Sequence, residues 1–384
     1  MKERPRVALV IETSNSYGRG LLRGIHAYVR EHGPWSTYLA EQGRGDAPPP
    51  WLEGWNGAGV IARIENQRIA DAIVKLKLPV VDVSAARAVP SIPWVETDDE
   101  AIARSAVDHL LERGFKHFAF CGDARFQWSK LRAAAMTRFL AEAGQSCHVI
   151  ETSGKSRASA KPGSEESQLT TWLKKLPRPV GVLACYDIRG RQLLEICRRN
   201  NIAVPEEVAV LGVDNDELLC MLADPPLSSI APDTHRTGYL AAQLLDRMMR
   251  GERVPSTGHL VTPLGLITRQ STDVLAIDDP HVSQAARFIR EHACDGINVE
   301  DVLAHTPLSR RVLESRFKKL LRRTPHEEIQ RVQLRRVEQL LKETDLPLST
   351  IADRAGFKHT EYLSVVFKQK LGLPPSEYRA KNRR

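Results

Sequence analysis

The 384-residue chain lacks the marks of several protein classes. It has no apolar run approaching the ~20 residues that a membrane helix needs. The opening MKERPR is followed only by VALVI before Glu12 interrupts, so no secretory signal is expected and the cytoplasm is the expected location. Six cysteines (Cys121, Cys147, Cys185, Cys197, Cys220 and Cys294) are scattered, with no C-x-x-C pair and no histidine at ligand spacing. That argues against a disulfide framework or structural zinc and for buried, reduced thiols. There is no G-x-x-x-x-G-K-[ST] phosphate loop and no G-x-S-x-G nucleophile elbow. Gly18, Gly20 and Gly24 read G-x-G-x-x-x-G, with the third glycine one residue too late for close approach to a pyrophosphate. No catalytic residue, metal ligand or cofactor is therefore assigned.

What is present is ordinary in bulk and uneven in distribution. Hydrophobic residues make up 42% and charged residues 27%, as in a soluble globular protein, and the length suits two or three compact units. The net charge of +8 is concentrated at one end. Residues 281–384 hold 21 Lys/Arg against 13 Asp/Glu, whereas the first 280 hold 34 of each. A neutral large part joined to a basic small one points to a module that binds a polyanion, most often nucleic acid.

Over the first 270 residues strand-like runs alternate with helical patterns: VALVIE, then RGLLRGIHAYVREHG; GVIARI, then QRIADAIVKLK; later PVVDVS, HFAFCGD, VGVLACYD and VAVLGVDN. Such alternation predicts parallel sheets flanked by helices, an α/β fold. Ligands in these sheets bind beyond the carboxyl ends of the strands, where Glu12 to Tyr17, Asp123, Asp187 and Asp214 lie.

The last hundred residues contain a repeat. At an offset of 50, Leu313 matches Leu363, Phe317 matches Phe367, Lys318 matches Lys368, Leu321 matches Leu371, and Pro325 matches Pro375. Spacings of four put the Leu, Phe and Leu on one helical face. A shorter helical pattern precedes each unit, NVEDVLAHT in one case and LSTIADRAGF in the other. Short helix, tight turn and basic helix make a helix-turn-helix, here occurring twice in an all-α region.

The runs STIADRAGF, HTEYLSVVFK and GLPPSEYR closely resemble the second half of AraC/XylS-type DNA-binding domains, and AHTPLSRRVLESRFKKLL resembles the first half. RRTPHE departs from that family, which has a glycine before the T/S-P, so the local turn is open. On helical wheels Val312, Leu313, Phe317 and Leu320 face inward in the first basic helix, leaving Arg310, Arg311, Glu314, Ser315 and Lys318 outward. In the second, Leu363, Val366 and Phe367 face inward, leaving Thr360, Glu361, Ser364, Val365 and Lys368. Arg311 suits a guanine O6/N7 pair, Glu314 and Glu361 suit cytosine N4, and Val365 suits a thymine methyl. Arg335, Arg336, Lys318 and Lys368 suit phosphates. The two helices are expected in successive major-groove segments of double-stranded operator DNA, about 10 bp apart.

The first part has its own resemblance. TDDEAIARSAVDHLLERGFKHFAFCGD, GVLACYDIRGRQLLEIC, EEVAVLGVDNDEL and LSSIAPDTHRTGYLAAQLLDRMM look like the LacI/GalR-type effector domain, in that family's order. Joined to an AraC-type reader, it resembles xylose-operon regulators. The resemblance implies a two-lobed periplasmic-binding-protein-like domain over residues 1–272, with lobe N at 1–114 and 229–254 and lobe C at 115–228 and 255–270. A linker at 273–282 and the DNA-binding domain at 283–384 would follow. By position in the family pattern, Asp214, Arg132 and Asp187 are expected sugar contacts, joined by Asp98, Asn15 and Tyr17, with Trp128 as a stacking ring. It further implies a pentose effector such as D-xylose, a homodimer, and RNA polymerase as partner if the protein is an activator. An α/β enzyme with a DNA-binding tail is the competing class, weakened by the missing catalytic motifs. A transport binding protein would carry an export signal and no helix-turn-helix.

Overall fold

The computed structural model describes residues 4–152, 164–273 and 279–382. The chain divides into two compact units, residues 1–274 and 275–384.

The first unit has two lobes, each built on a six-stranded sheet. In one lobe β1 (Arg6–Val10) leads into α1 (Ser16–His32), followed by β2 (Ser36–Leu39), β3 (Gly59–Ala62), α2 (Gln67–Leu76), β4 (Val80–Asp82) and β5 (Trp94–Thr97). The chain then builds the other lobe from α3 (Asp99–Glu112), β6 (His117–Asp123), α4 (Gln127–Glu142), β7 (Cys147–Thr152), α5 (Ser164–Lys175) and β8 (Val180–Ala184). It continues there through α6 (Asp187–Arg199), β9 (Val208–Val213), α7 (Glu217–Met221) and β10 (Ser228–Ala231). It returns for α8 (Thr234–Met249) and β11 (Gly258–Val261), and ends in β12 (Gly265–Ile267).

The first sheet, ordered β11-β5-β4-β3-β1-β2, is parallel throughout. Val7, Leu9 and Ile11 pack on one face with Leu21 and Ile25 of α1 and Leu245 of α8, while Ala8 and Val10 pack on the other with Ile69 and Ile73 of α2. Burial on both faces explains why its central strands β1 and β3 read as continuous apolar runs. The second sheet, β12-β10-β9-β8-β6-β7, is parallel except for its antiparallel β12 edge.

The glycines after β1 have a packing role. A Cβ on Gly24 would lie 2.0 Å from the His235 carbonyl oxygen of α8, and one on Gly238 would lie 2.0 Å from that of Leu21. Here the small residues let two helices pack backbone to backbone.

The lobe boundaries read from sequence need correction. Residues 99–114 belong to the second lobe, because α3 packs on α4 and on β10 and β12. β10 also belongs there, since it is hydrogen-bonded to β9, whereas β11 pairs with β5 in the first sheet. The three crossings thus lie at 97–99, 231–234 and 261–265, rather than near Gly114, Ser228 and Pro255. They are bonded to one another: Asp98 N donates to Val261 O at 2.9 Å and Leu264 N to Ala231 O at 2.8 Å.

The second unit is helical: α9 (Pro280–His292), α10 (Val299–Ala304), α11 (Arg310–Leu321), α12 (Pro325–Glu343), α13 (Leu348–Arg354), α14 (Thr360–Leu371) and α15 (Pro375–Asn382). It begins before the expected residue 283. Asp279 caps α9 by accepting from His281 N and Val282 N, Pro280 takes the first helical position, and Arg316 of α11 pairs with Asp279 at 2.7 Å. Of the expected linker 273–282, residues 274–278 lie outside the described residues.

The two helix-turn-helices, α10–α11 and α13–α14, are joined by α12, whose buried Gln333 Nε2 donates to Ala293 O and Gly356 O. At RRTPHE, Thr324 and Glu327 form a capping box with Pro325 behind the cap, and Arg322 takes a left-handed φ of 57°. The equivalent residue of the second repeat is Gly372, at φ 79°. In α11 the buried ladder is Leu313, Phe317 and Leu321, with Leu320 half-buried. Val312, expected inward, is exposed, because a residue one step before the ladder points about 100° away from it.

Candidate functional site

Between the lobes Tyr17, Arg44, Arg63, Glu96, Trp128, Arg132 and Asp214 line a small cavity. Tyr17 enters from the first turn of α1, Arg63 follows β3 and Glu96 is the penultimate residue of β5. Trp128 and Arg132, four apart on α4, share a helix face, and Asp214 follows β9. All of these except Arg44 belong to, or adjoin, regular elements that the core holds rigidly.

Three guanidiniums are buried among carboxylates. Arg132 Nε donates to Asp99 Oδ1 at 2.7 Å and Nη1 to Cys185 O at 2.6 Å. Arg63 bridges Glu12 and Glu65, each at 2.5 Å, and lies 4.7 Å from the Tyr17 ring centroid. Arg44 lies 3.9 Å from both Glu12 and Asp214. Its guanidinium sits among three rings of the opposite lobe, Phe126, Trp128 and Tyr186, at 5.7, 5.2 and 4.9 Å. Burial disfavours ionisation of Glu12, but the neighbouring Arg63 and Arg44 hold its carboxyl below the ordinary range.

Glu96 behaves differently. Burial pushes its carboxyl up to about 8, with Arg63 only partly opposing, so near neutral pH it carries a proton. Its Oε1 lies 2.7 Å from Tyr17 Oη and accepts from Thr97 N at 3.1 Å, while Oε2 has no protein hydrogen-bond partner. Burial likewise raises Asp214, against the pull of Arg44, Arg132 and Arg63. The lining therefore offers donors (guanidiniums, a protonated carboxyl, an indole), an acceptor carboxylate and an aromatic face. That inventory matches hydroxyls that both donate and accept, together with weakly apolar C–H surfaces.

Of the residues expected from sequence, Asp214, Arg132, Tyr17 and Trp128 come together in this lining, and three others lie beside it. Asn15 caps α1, accepting from Gly18 N at 2.8 Å and donating to Glu12. Asp98 caps α3, accepting from Ala101 N at 2.9 Å. Asp187 sits behind the Asp214 loop, accepting from Ser229 Oγ at 2.6 Å, Asp216 N at 2.7 Å and the Cys220 thiol at 3.4 Å. Its carboxyl rises to about 8 through burial and the adjacent Asp214.

Arg44, Arg63 and Glu96 escaped the sequence reading. Arg63 and Glu96 sit at strand ends, where the strand-end rule could have found them. Arg44 lies in an irregular segment between β2 and β3 and leaves no periodic signal.

On the second unit, Arg310, Arg311, Ser315 and Lys318 of α11 and Glu361, Val365 and Lys368 of α14 are exposed, with Glu314, Thr360 and Ser364 half-exposed. Val365 is 64% exposed. Arg310 is held by Glu300 at 2.8 Å and Glu314 at 3.1 Å, and Ser364 Oγ donates to Thr360 O. Arg335 is exposed on α12, and Arg336 donates to Gln339.

Comparison with known proteins accounts for both units. Residues 6–100 match the XylR N-terminal domain, 107–272 a periplasmic binding protein-like domain and 302–381 a helix-turn-helix domain. The xylose operon regulatory protein of Escherichia coli (strain K12) is 33% identical over 388 residues, covering 99% of this chain and 98% of that protein. The chain belongs to the xylose operon regulatory protein family. A Haemophilus influenzae member is 31% identical, covering 97% of this chain and 98% of that one. A solved structure of the xylose-binding transcription activator XylR aligns over 100% of both chains with a TM-score of 0.83 and 32% identity. The lac repressor dimer, at 16% identity and a TM-score of 0.57 over 72% of this chain, shares the fold. The family member described here is a sugar-sensing transcription regulator with a helix-turn-helix domain, not an enzyme. Among the described residues no helix is long and apolar enough to cross a membrane.

Proposed function

We propose that the cleft binds D-xylose and that its occupancy increases binding of the helical unit to operator DNA, activating transcription. The observation that carries this reading is a set of buried polar atoms without a protein hydrogen-bond partner: Arg44 Nε and Nη1, Arg63 Nε, Glu96 Oε2 and Trp128 Nε1. All belong to residues lining one cavity. Burying such groups unpaired costs roughly 1–3 kcal/mol each, which a polyhydroxylated ligand relieves. In this reading Asp214, Arg132, Arg44 and Glu96 hold hydroxyls, Tyr17 backs Glu96, and Trp128 covers a C–H face. Asp187, Asp98 and Asn15 keep supporting places around the site.

The regulator acts in the cytoplasm as a homodimer, so that two helical units address paired half-sites and RNA polymerase is the downstream partner. Arg311, Glu314, Ser315, Thr360, Glu361, Ser364 and Val365 face base edges, while Lys318, Lys368, Arg310, Arg335 and Arg336 engage phosphates. Ligand closure shifts the equilibrium only by its preference for the DNA-competent state.

Titration calorimetry tests the cleft, with D-xylose beside L-arabinose, D-ribose, D-glucose, NAD and ATP. Saturable binding of D-xylose that weakens at least tenfold in Asp214→Asn supports the reading. Binding of NAD or ATP without a sugar response overturns it.

A further inference from the structure

The chain leaves the first unit through Arg269–Thr272, and this exit is fastened to the back of the loop that carries Asp214. That loop is strained: Asp214 and Asn215 have φ values of 105° and 45°, both in the region that side-chain-bearing residues avoid. It persists because Asp214 N donates to Ile230 O at 3.0 Å, Asn215 N to Ser229 Oγ at 3.0 Å and Asp216 N to Asp187 at 2.7 Å. The loop's outward side chain, Asn215, is held by the exit: Arg269 Nη2 donates to Asn215 Oδ1 at 2.9 Å, and Nη1 donates to Leu227 O at 3.0 Å.

The rest of the exit is pinned to the same lobe. Ser271 Oγ donates to Val210 O at 2.6 Å, and Thr272 Oγ1 donates to Ser228 Oγ at 2.7 Å. With that proton committed, the His109 Nε2–H must donate to Thr272 Oγ1, at 2.9 Å. Arg113 Nε donates to Thr272 O at 2.8 Å. His109 and Arg113 lie toward the end of α3, whose first residue, Asp99, grips Arg132 in the cavity. The exit thus touches cleft machinery by two routes, one through Asn215 and one along a rigid helix.

We propose that Arg269 is a positioning residue, coupling the Asp214–Asn215 loop to the exit of the first unit so that sugar in the cleft steadies the segment leading to the DNA-binding unit. This rests on the reading that the cleft holds D-xylose. Asp214 is the ligand contact, and Arg269 does not line the cavity. A guanidinium bonded at once to the loop and to Leu227, just before β10, transmits small displacements that an apolar side chain would not.

The test is hydrogen exchange on the full chain with and without saturating D-xylose, read at residues 214–216 and 269–273, with calorimetry on the same samples. In wild type, xylose slows exchange in both segments. In Arg269→Met, and separately in Asn215→Gly, which keeps the left-handed backbone while removing the acceptor, xylose affinity stays within about threefold and the loop is still protected. At the exit the protection falls by at least half, the remainder being carried through His109 and Arg113. Undiminished protection of the exit by xylose in both variants overturns the coupling, as does protection of the wild-type loop without any at the exit. Failure of the wild-type protein to bind xylose in the calorimeter overturns the cleft reading itself and is told apart by that measurement.

Discussion

The cleft and the recognition helices use charge in opposite ways. In the cleft, Arg63 is buried against Glu12 and Arg132 against Asp99, so these two lining groups are also structural partners. On α11 and α14 the charges expected to meet DNA are exposed or half-exposed, and the core beneath them is apolar, with Leu313, Phe317 and Leu321 of α11 and Leu363, Val366 and Phe367 of α14 buried in it. Function and stability are therefore inseparable in one region and separable in the other. The largest effect expected follows directly. Arg132→Met leaves Asp99 buried without its counter-ion, which costs about 3–5 kcal/mol. Urea unfolding of the first unit should record that loss, and an unchanged midpoint would break the contrast.

The matching change on the reader should leave folding untouched. Arg311→Ala is expected to weaken binding to a duplex selected from random sequence by the wild-type protein by about 1–3 kcal/mol, with relaxed preference at one base pair. Lys368→Ala should weaken binding to all duplexes alike and lower the salt slope by about one. Fluorescence anisotropy across a salt series separates the two, and neither variant should move the urea midpoint. A Lys368→Ala variant with altered base preference would show that phosphate and base roles are misassigned.

The pH response sharpens the comparison further, because only the first unit carries strongly raised carboxyls among the described residues. Glu96 and Asp187 rise to about 8 and Asp82 to about 7, all through burial. The folded state keeps protons there that the unfolded chain releases above its ordinary carboxylate range, so stability falls as pH rises from about 4.5 to about 8. His109 works in the other direction: burial and Arg113 lower it to about 3, and its contribution is lost as pH falls from 6.5 toward 3. With three carboxyls against one imidazole, the melting temperature of the first unit should drop by several degrees between pH 6 and pH 8.5. Glu96→Gln should flatten that drop, and an identical slope in the variant would sink the assignment.

The same contrast explains what could be read from the sequence. Which residues of α11 and α14 are exposed was legible because a helix wheel needs only a period, and the 50-residue repeat supplied the period twice. Val312 failed for a local reason, since the wheel does not say where the apolar stripe stops. The cleft was half legible: Asp214 stands at a strand end, and Trp128 and Arg132 occupy family-pattern positions. Arg44 was not, because it reaches the three rings of the other lobe from a segment with no periodicity. Asp187 sits at a strand end like Asp214, and only the loop folding over it turns it into a support. The lobe crossings were displaced because sequence marks where strands are, not which sheet they join.

The smallest expected effect compares the two repeats with each other. Arg322 and Gly372 occupy the same place after their recognition helices, and both are left-handed, at 57° and 79°. A Cβ at Gly372 would meet nothing within 4 Å, so Gly372→Ala tests backbone conformation alone and should cost about 1–2 kcal/mol. Arg322→Gly removes the same penalty from the first repeat. Glycine also loosens the unfolded chain by about 0.5–1 kcal/mol, so the net gain should be about 1 kcal/mol or less. Thermal unfolding of the second unit in the full chain measures both. If Gly372→Ala is costly while Arg322→Gly destabilises, the Arg322 side chain contributes more than its backbone costs. The groove it lines with Arg323, Gln330 and Arg331 of α12 and its approach would then be what maintains an arginine where the second repeat has a glycine.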